Sequence, residues 1–246
     1  MSKKILLFLV EGLSDKDALE PILSELVDET KIHFEVIRYD LSANNSTQMK
    51  SSNMKQRITK IVKSFLENNH GIEKKSIEKV IFLTDTDGCY VDENTISYSS
   101  TDQNFRYEDD GIYTNRPKDA LLRNQIKTRN LDTINSTLVV YNRPIEVYYF
   151  SCNLDHVLYD KRNLAQSLKE DYAFSFADKY ENREDEFIDF ISTSSLCLSF
   201  NYRDSWMKIK NNNNSLLRYT NLLIFFLNNI DLLSDDAKRK VSICCS

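Results

Sequence analysis

Two short apolar runs, Ile5–Val10 (I-L-L-F-L-V) and Val80–Thr84 (V-I-F-L-T), each stop abruptly on carboxylates. Neither run alternates apolar with polar residues. A strand that is apolar on every residue is buried on both faces, which is the pattern of a parallel sheet covered by helices on each side. The first run gives way to Glu11-Gly12-Leu13-Ser14-Asp15 and the second to Asp85-Thr86-Asp87-Gly88. In open α/β sheets ligands bind where the strands end, at their carboxyl edge. Taken singly, each acid reads as a helix cap or a solvated turn. Taken together, they place three carboxylates at one edge if the two strands are near neighbours.

The segments between these runs support that arrangement. Ser14 reads as a helix N-cap, with Asp15 and Asp17 in a first turn where the dipole favours acids. Leu19, Ile22, Leu23 and Leu26 have helical spacing, so a helix runs to about Val27. His33–Ile37 reads as a second strand, Asp40–Ser52 as a polar loop, and Met54–Glu67 as an amphipathic helix with Ile58, Ile61, Val62 and Phe65 on one face. Cys89–Asn115 is polar, aromatic and irregular, and reads as a long loop or insertion. Pro117 suits the first turn of a helix reaching about Thr128. Thr137–Tyr141 and Glu146–Phe150 are two further strand candidates. The order β-α-β-α-β-loop-α-β-β predicts an α/β fold with a mostly parallel sheet flanked by helices. After Leu154 the pattern turns helical, over Val157–Asp178, Arg183–Ser192 and Ser215–Ile230. The expected division is therefore an α/β domain over 1–152 and a mainly helical C-terminal section over 153–246.

Composition narrows the function. The chain has 246 residues with only 4 Gly and 3 Pro, against an all-β fold rich in tight turns. Its net charge of −5 means that bulk electrostatics do not favour long nucleic acid. Any such contact needs a local patch, a metal ion or a partner. The five cysteines are odd in number and contain no C-x-x-C pair, so a reducing cytoplasmic setting is expected. The N-terminal run reads as a strand rather than a signal peptide, and Leu222–Ile230 is too short to span a bilayer, so no membrane contact is expected.

A turn just past a strand can aim both acids of D-x-D at one ion, and Mg²⁺ takes hard oxygen ligands while keeping several waters. Gly12 and Gly88 are expected to let the backbone turn tightly beside the acids. The pairing of L-F-L-V-E-G at Leu7–Gly12 with I-F-L-T-D-T-D at Ile81–Asp87, about 70 residues apart, resembles the Toprim family, the metal-binding domain of topoisomerases, bacterial primases, OLD-type nucleases and small maturation ribonucleases. The likeness covers roughly residues 4 to 150. It implies a Toprim-like sheet and a metal-dependent nuclease. Glu11 would be general acid/base or metal ligand, and Asp85 and Asp87 would hold Mg²⁺ or Mn²⁺. Asp15 would assist a second metal, or is simply a helix N-terminal charge. The substrate would be DNA or RNA. The C-terminal section loosely resembles small Toprim proteins of phage-defence loci. That likeness implies an antiviral effector working with an ATPase partner, because the chain has no P-loop of its own. Self-association into a homo-oligomer is a further expectation.

Lys118 and Arg123, with Lys127 on the same expected helix, are the candidates for binding substrate phosphate; Arg116 and Arg143 lie nearby. Asp155 and His156 follow a strand and can reach the sheet edge, although His156 reads first as a buried or capping histidine. Tyr202–Lys210 mixes aromatic and basic residues and reads as the edge of a packed helix. Two other functions stay open. Asp85 opens a motif shared with haloacid-dehalogenase-type phosphatases, but that class leaves Glu11-Gly12 unexplained. The acidic charge is also compatible with a non-catalytic binding or sensor module.

Overall fold

The computed structural model describes residues 4–27, 32–36 and 53–244. The expected loop Asp40–Ser52 lies outside the described residues. Eight strands and nine α-helices occur among those described. The main sheet contains β1 (Ile5–Val10), β2 (Ile32–Val36), β3 (Ile77–Asp85), β7 (Val139–Val140) and β8 (Arg143–Phe150), in the order β2-β1-β3-β8-β7. The first four of that order pair in parallel and β7 is an antiparallel edge. The fold is thus α/β, with a mixed, mostly parallel sheet flanked by helices.

The apolar runs explain the layering. Along β1, Leu6, Phe8 and Val10 enter one hydrophobic core, while Ile5, Leu7 and Leu9 enter a second on the other face. β3 divides the same way, with Ile81 and Leu83 on one side and Val80 and Phe82 on the other. Each face is sealed by helices, so every residue of β1 is buried. α1 (Leu13–Leu26) covers the first face together with α5 (Lys169–Tyr180), α6 (Glu184–Ser192), α8 (Leu222–Asn228) and α9 (Asp235–Cys244). The second face takes α2 (Met54–Asn68), closed at its start by an Asn53–Gln56 capping box, along with residues of α3 (Pro117–Asn135) and α7 (Tyr202–Lys208).

Several local expectations change. Gly12, not Ser14, occupies the N-cap of α1, and no side chain caps that end. Gly12 is extended, at φ −138°, so no tight turn needs it. A Cβ there would stand 3.2 Å from the Asp15 carboxylate, so glycine leaves room for that acid. Gly88 does need its freedom. Its φ is +63°, and a Cβ would lie 2.5 Å from Leu216 Cδ2. Residues 89–115 are not a bare loop; they hold a small sheet of β4 (Ile96–Tyr98), β6 (Ile112–Thr114) and β5 (Arg106–Tyr107). α3 runs to Asn135 rather than Thr128. Thr137–Tyr141 shortens to β7, because Tyr141 and Asn142 take left-handed conformations and turn the chain straight back into β8. The long helix expected over Val157–Asp178 breaks at Asp160, which is left-handed, leaving α4 (Leu154–Tyr159) ahead of α5. Asp235 and Asp236 begin a further helix, α9, beyond the expected helical stretches.

Candidate active site

The parallel register brings the strand ends level. Leu9 pairs with Phe82, and Phe82 with Val147, so the segments after β1, β3 and β8 leave the sheet at the same edge. Glu11 and Asp15 follow β1, Asp85 closes β3 with Asp87 in the turn just beyond it, and Asp155 lies in the first turn of α4 just past β8. The loop after β3 is stitched to the loop after β8. Thr86 N–H donates to Phe150 O at 3.0 Å, Asp87 N–H to Cys152 O at 2.6 Å, and Cys152 N–H to Thr86 Oγ1 at 2.9 Å. Asp87 is itself left-handed, at φ 48°. These bonds hold its carboxylate over the edge.

Two buried or half-buried ammonium groups stand among the five acids. Lys127, on α3, is fully buried; its Nζ is 2.5 Å from Asp87 Oδ2 and 4.0 Å from Glu11 Oε2. Lys169, at the start of α5, lies 2.7 Å from Asp155 Oδ2. Asp155 is buried, and its other oxygen, Oδ1, has no hydrogen-bond partner. Asp85 Oδ1 accepts Leu154 N–H at 2.9 Å.

The carboxylates outnumber the cations, and their acidities record it. Desolvation, then Asp15 and Asp87, push Asp85 well above the usual carboxylate range, against the pull of Lys127 and Lys169. Asp15 is pushed up to about 6, again by desolvation first and with Asp155 adding to it, although Lys169 pulls the other way. Burial alone would lower Lys169, but Asp155, Asp85 and Asp15 hold it above the ordinary lysine value.

The expected site residues separate clearly. Glu11, Asp15, Asp85 and Asp87 come together. Arg123 joins them: its guanidinium donates to Asp87 O at 2.7 Å and to the Tyr107 hydroxyl at 2.5 Å. Lys118 does not join. It is exposed in the first turn of α3, roughly 13 Å along the axis from Lys127 at 1.5 Å per residue. Arg143 is at the opposite end of β8 and binds Ile77 O. His156 is buried and kept neutral, its pKa lowered to about 4 by desolvation and then by Arg162. Lys127, named with Arg123 on the expected helix, also joins, whereas Lys169 and Tyr107 were not singled out as binding groups. Lys127 sits four residues after Arg123, on the same helical face.

An all-oxygen, carboxylate-rich donor set is the chemistry of Mg²⁺ and Mn²⁺. The orphaned Asp155 oxygen and the surplus of acids over lysines fit such a cation. Among the described residues, however, no three His, Cys, Asp or Glu side chains form a ready metal-binding group. Lys127 accounts for part of this, because its ammonium occupies Asp87 and approaches Glu11. Among the described residues no helix is long and apolar enough to cross a membrane.

Fold and site together define an α/β protein with a half-buried carboxylate–lysine cluster, built on the buried Asp155 and Lys127, at the carboxyl edge of its sheet. Comparison with family models, with curated proteins and with solved structures finds no match.

Proposed function

We propose that this chain is a divalent-metal-dependent nuclease that hydrolyses phosphodiester bonds, as its resemblance to Toprim proteins implies. One observation supports this most: five carboxylates from three strand ends gather at one sheet edge around two lysines, Lys127 and Lys169, a crowding of acids that asks for a cation. Asp85, Asp87 and Asp155 would hold Mg²⁺ or Mn²⁺, with Asp15 and Glu11 beside them. When bound, the metal supplies charge neutralisation on the phosphate and a more acidic water.

The chain's own groups do the rest. Lys127 presents its ammonium protons between Glu11 and Asp87, where charge on a phosphate oxygen can be met. Glu11, 4.0 Å from the Lys127 ammonium, would take a proton from the attacking water. Arg123 fixes the backbone of Asp87 and so the aim of its carboxylate. The test is to incubate the protein with plasmid, single-stranded DNA and total RNA, with Mg²⁺, Mn²⁺ and EDTA in parallel. Cleavage that needs the metal, and is lost in Glu11→Gln and Asp85→Asn, is expected. Cleavage that persists in both variants refutes the assignment.

A further inference from the structure

Beside the acids lies a cleft of about 710 Å³, within the range of pockets that enclose small organic ligands. Asp85, Asp87 and Asp155 form one end of its lining. One wall is the segment 101–107 leading into β5; the other is the segment 162–169 before α5. The two walls are tied together. Asn163 pairs with the backbone of Tyr107 as a strand would, accepting its N–H and donating to its O, both at 2.9 Å. Arg162 adds an ion pair with Asp109. This joined rim gives the cleft two walls beside the acids, a groove-like slot whose outer lining, including Gln103, Asn104 and Gln166, is open to solvent.

Three features of the slot identify its occupant. Phe105 presents a half-buried aromatic ring. The Arg123 guanidinium lies 4.6 Å from its centroid, and the same guanidinium holds Asp87 O. A ring is therefore coupled directly to the acid loop. Second, the side-chain amides of Gln103, Asn104 and Gln166 line the slot and make no hydrogen bond among the described residues. They can donate and accept at once, as the edge of a base requires. Third, the cations lining the slot are already matched by acids: Arg106 with Asp102 and Glu108, Arg162 with Asp109, Lys169 with Asp155. A duplex offers a protein mainly phosphates, and its affinity rests on unmatched cations. An unpaired strand offers base faces and base edges, which stacking and amide contacts recognise.

We propose that this slot receives nucleic acid as a single strand, with the base next to the reacting phosphate stacked on Phe105 and its edge met by the amides. This rests on the nuclease reading and specifies its substrate. The unpaired base and its phosphate are common to DNA and RNA, so the test carries both sugars.

The experiment is fluorescence anisotropy with the whole chain in Ca²⁺, with an EDTA arm, using labelled oligonucleotides of one sequence as single-stranded DNA, single-stranded RNA and duplex DNA. Single strands of at least one sugar should bind about tenfold or more tighter than the duplex. Phe105→Ala should weaken that binding by about tenfold, the order expected for one stacked base, and Phe105→Trp should restore it. Asn104→Ala, at an exposed position that leaves the fold intact, should weaken it by a few-fold. The slope of log K against log salt should be shallow, about −1.4 to −2.1, for two or three phosphate contacts on a single strand. Duplex binding as tight as single-strand binding overturns the inference, as does indifference to both Phe105→Ala and Asn104→Ala. In those cases metal-dependent cleavage of duplex leaves the nuclease reading standing. Binding of no nucleic acid, with no cleavage, overturns both.

Discussion

Asp15 is the acid whose perturbation reports most directly on the crowded charge. Its carboxyl is raised from 3.8 to about 6, first by desolvation, with Asp155 adding repulsion and Lys169 opposing. The folded chain therefore holds this proton to a higher pH than the unfolded chain does. The penalty for ionising Asp15 is absent below about pH 3.8, grows between 3.8 and 6, and is complete above that. A shift of about two units corresponds to roughly 3 kcal/mol at 1.36 kcal/mol per unit. Asp15 is partly solvent-exposed, so about 1–2 kcal/mol is the figure to expect after screening. Asp15→Asn removes the titration and nearly keeps the shape. In EDTA the variant should match the wild type near pH 4 and exceed its stability by about 1–2 kcal/mol at pH 7. Urea unfolding followed by far-ultraviolet circular dichroism, from pH 4 to 7.5, measures the difference. Saturating Mg²⁺ should narrow the gap, because the metal supplies the wild type with the missing positive charge. A variant less stable than wild type at pH 7 in EDTA, or a pH-independent difference, would refute the reasoning.

Other outcomes follow from the same geometry. Lys127→Met leaves Asp87 and Glu11 facing each other without their buried ammonium, and should lose about 3–5 kcal/mol in urea unfolding in EDTA. His156 works in the opposite direction to Asp15. Its lowered pKa means that its contribution is full above pH 6.5 and is lost as the pH falls towards 4, so His156→Gln should flatten the acid limb of the stability curve over that window. Gly88→Ala combines a φ of +63° with a 2.5 Å approach to Leu216, and should lower stability by about 1–3 kcal/mol in thermal melts. Adding Leu216→Ala would relieve the clash but not the backbone strain, so stability should not return to that of Leu216→Ala alone.

How much of this was legible in the sequence depends on burial. β1 and β3 were readable because sheet residues sealed on both faces must be apolar throughout, and their terminal acids then stand out. Asp155 was readable as a residue that can reach the edge because it, too, follows a strand. Lys127 was readable as a candidate beside Arg123, but not its burial, since a lysine on a helix is ordinarily solvated and nothing local announces that this one is fully buried. Its burial comes from α3 crossing the sheet edge, a tertiary event. β4, β5 and β6 have only two or three residues each, too few for a period of two to register. α9 was hidden by its polar opening, Asp235-Asp236, which works as a favourable acidic first turn. The break at Asp160 was missed because an aspartate can adopt the left-handed conformation that ends a helix without a glycine to mark it.

The central claim is that the acids at the sheet edge form a seat for a divalent cation. Titration of the apo chain with Mn²⁺, read as loss of the free-ion paramagnetic resonance signal, tests it without reference to any substrate. Saturable binding is predicted, competed by Mg²⁺ and weakened at least tenfold in both Asp85→Asn and Asp155→Asn. A wild-type chain that leaves the Mn²⁺ signal unchanged, or one whose binding survives both substitutions undiminished, would contradict the claim.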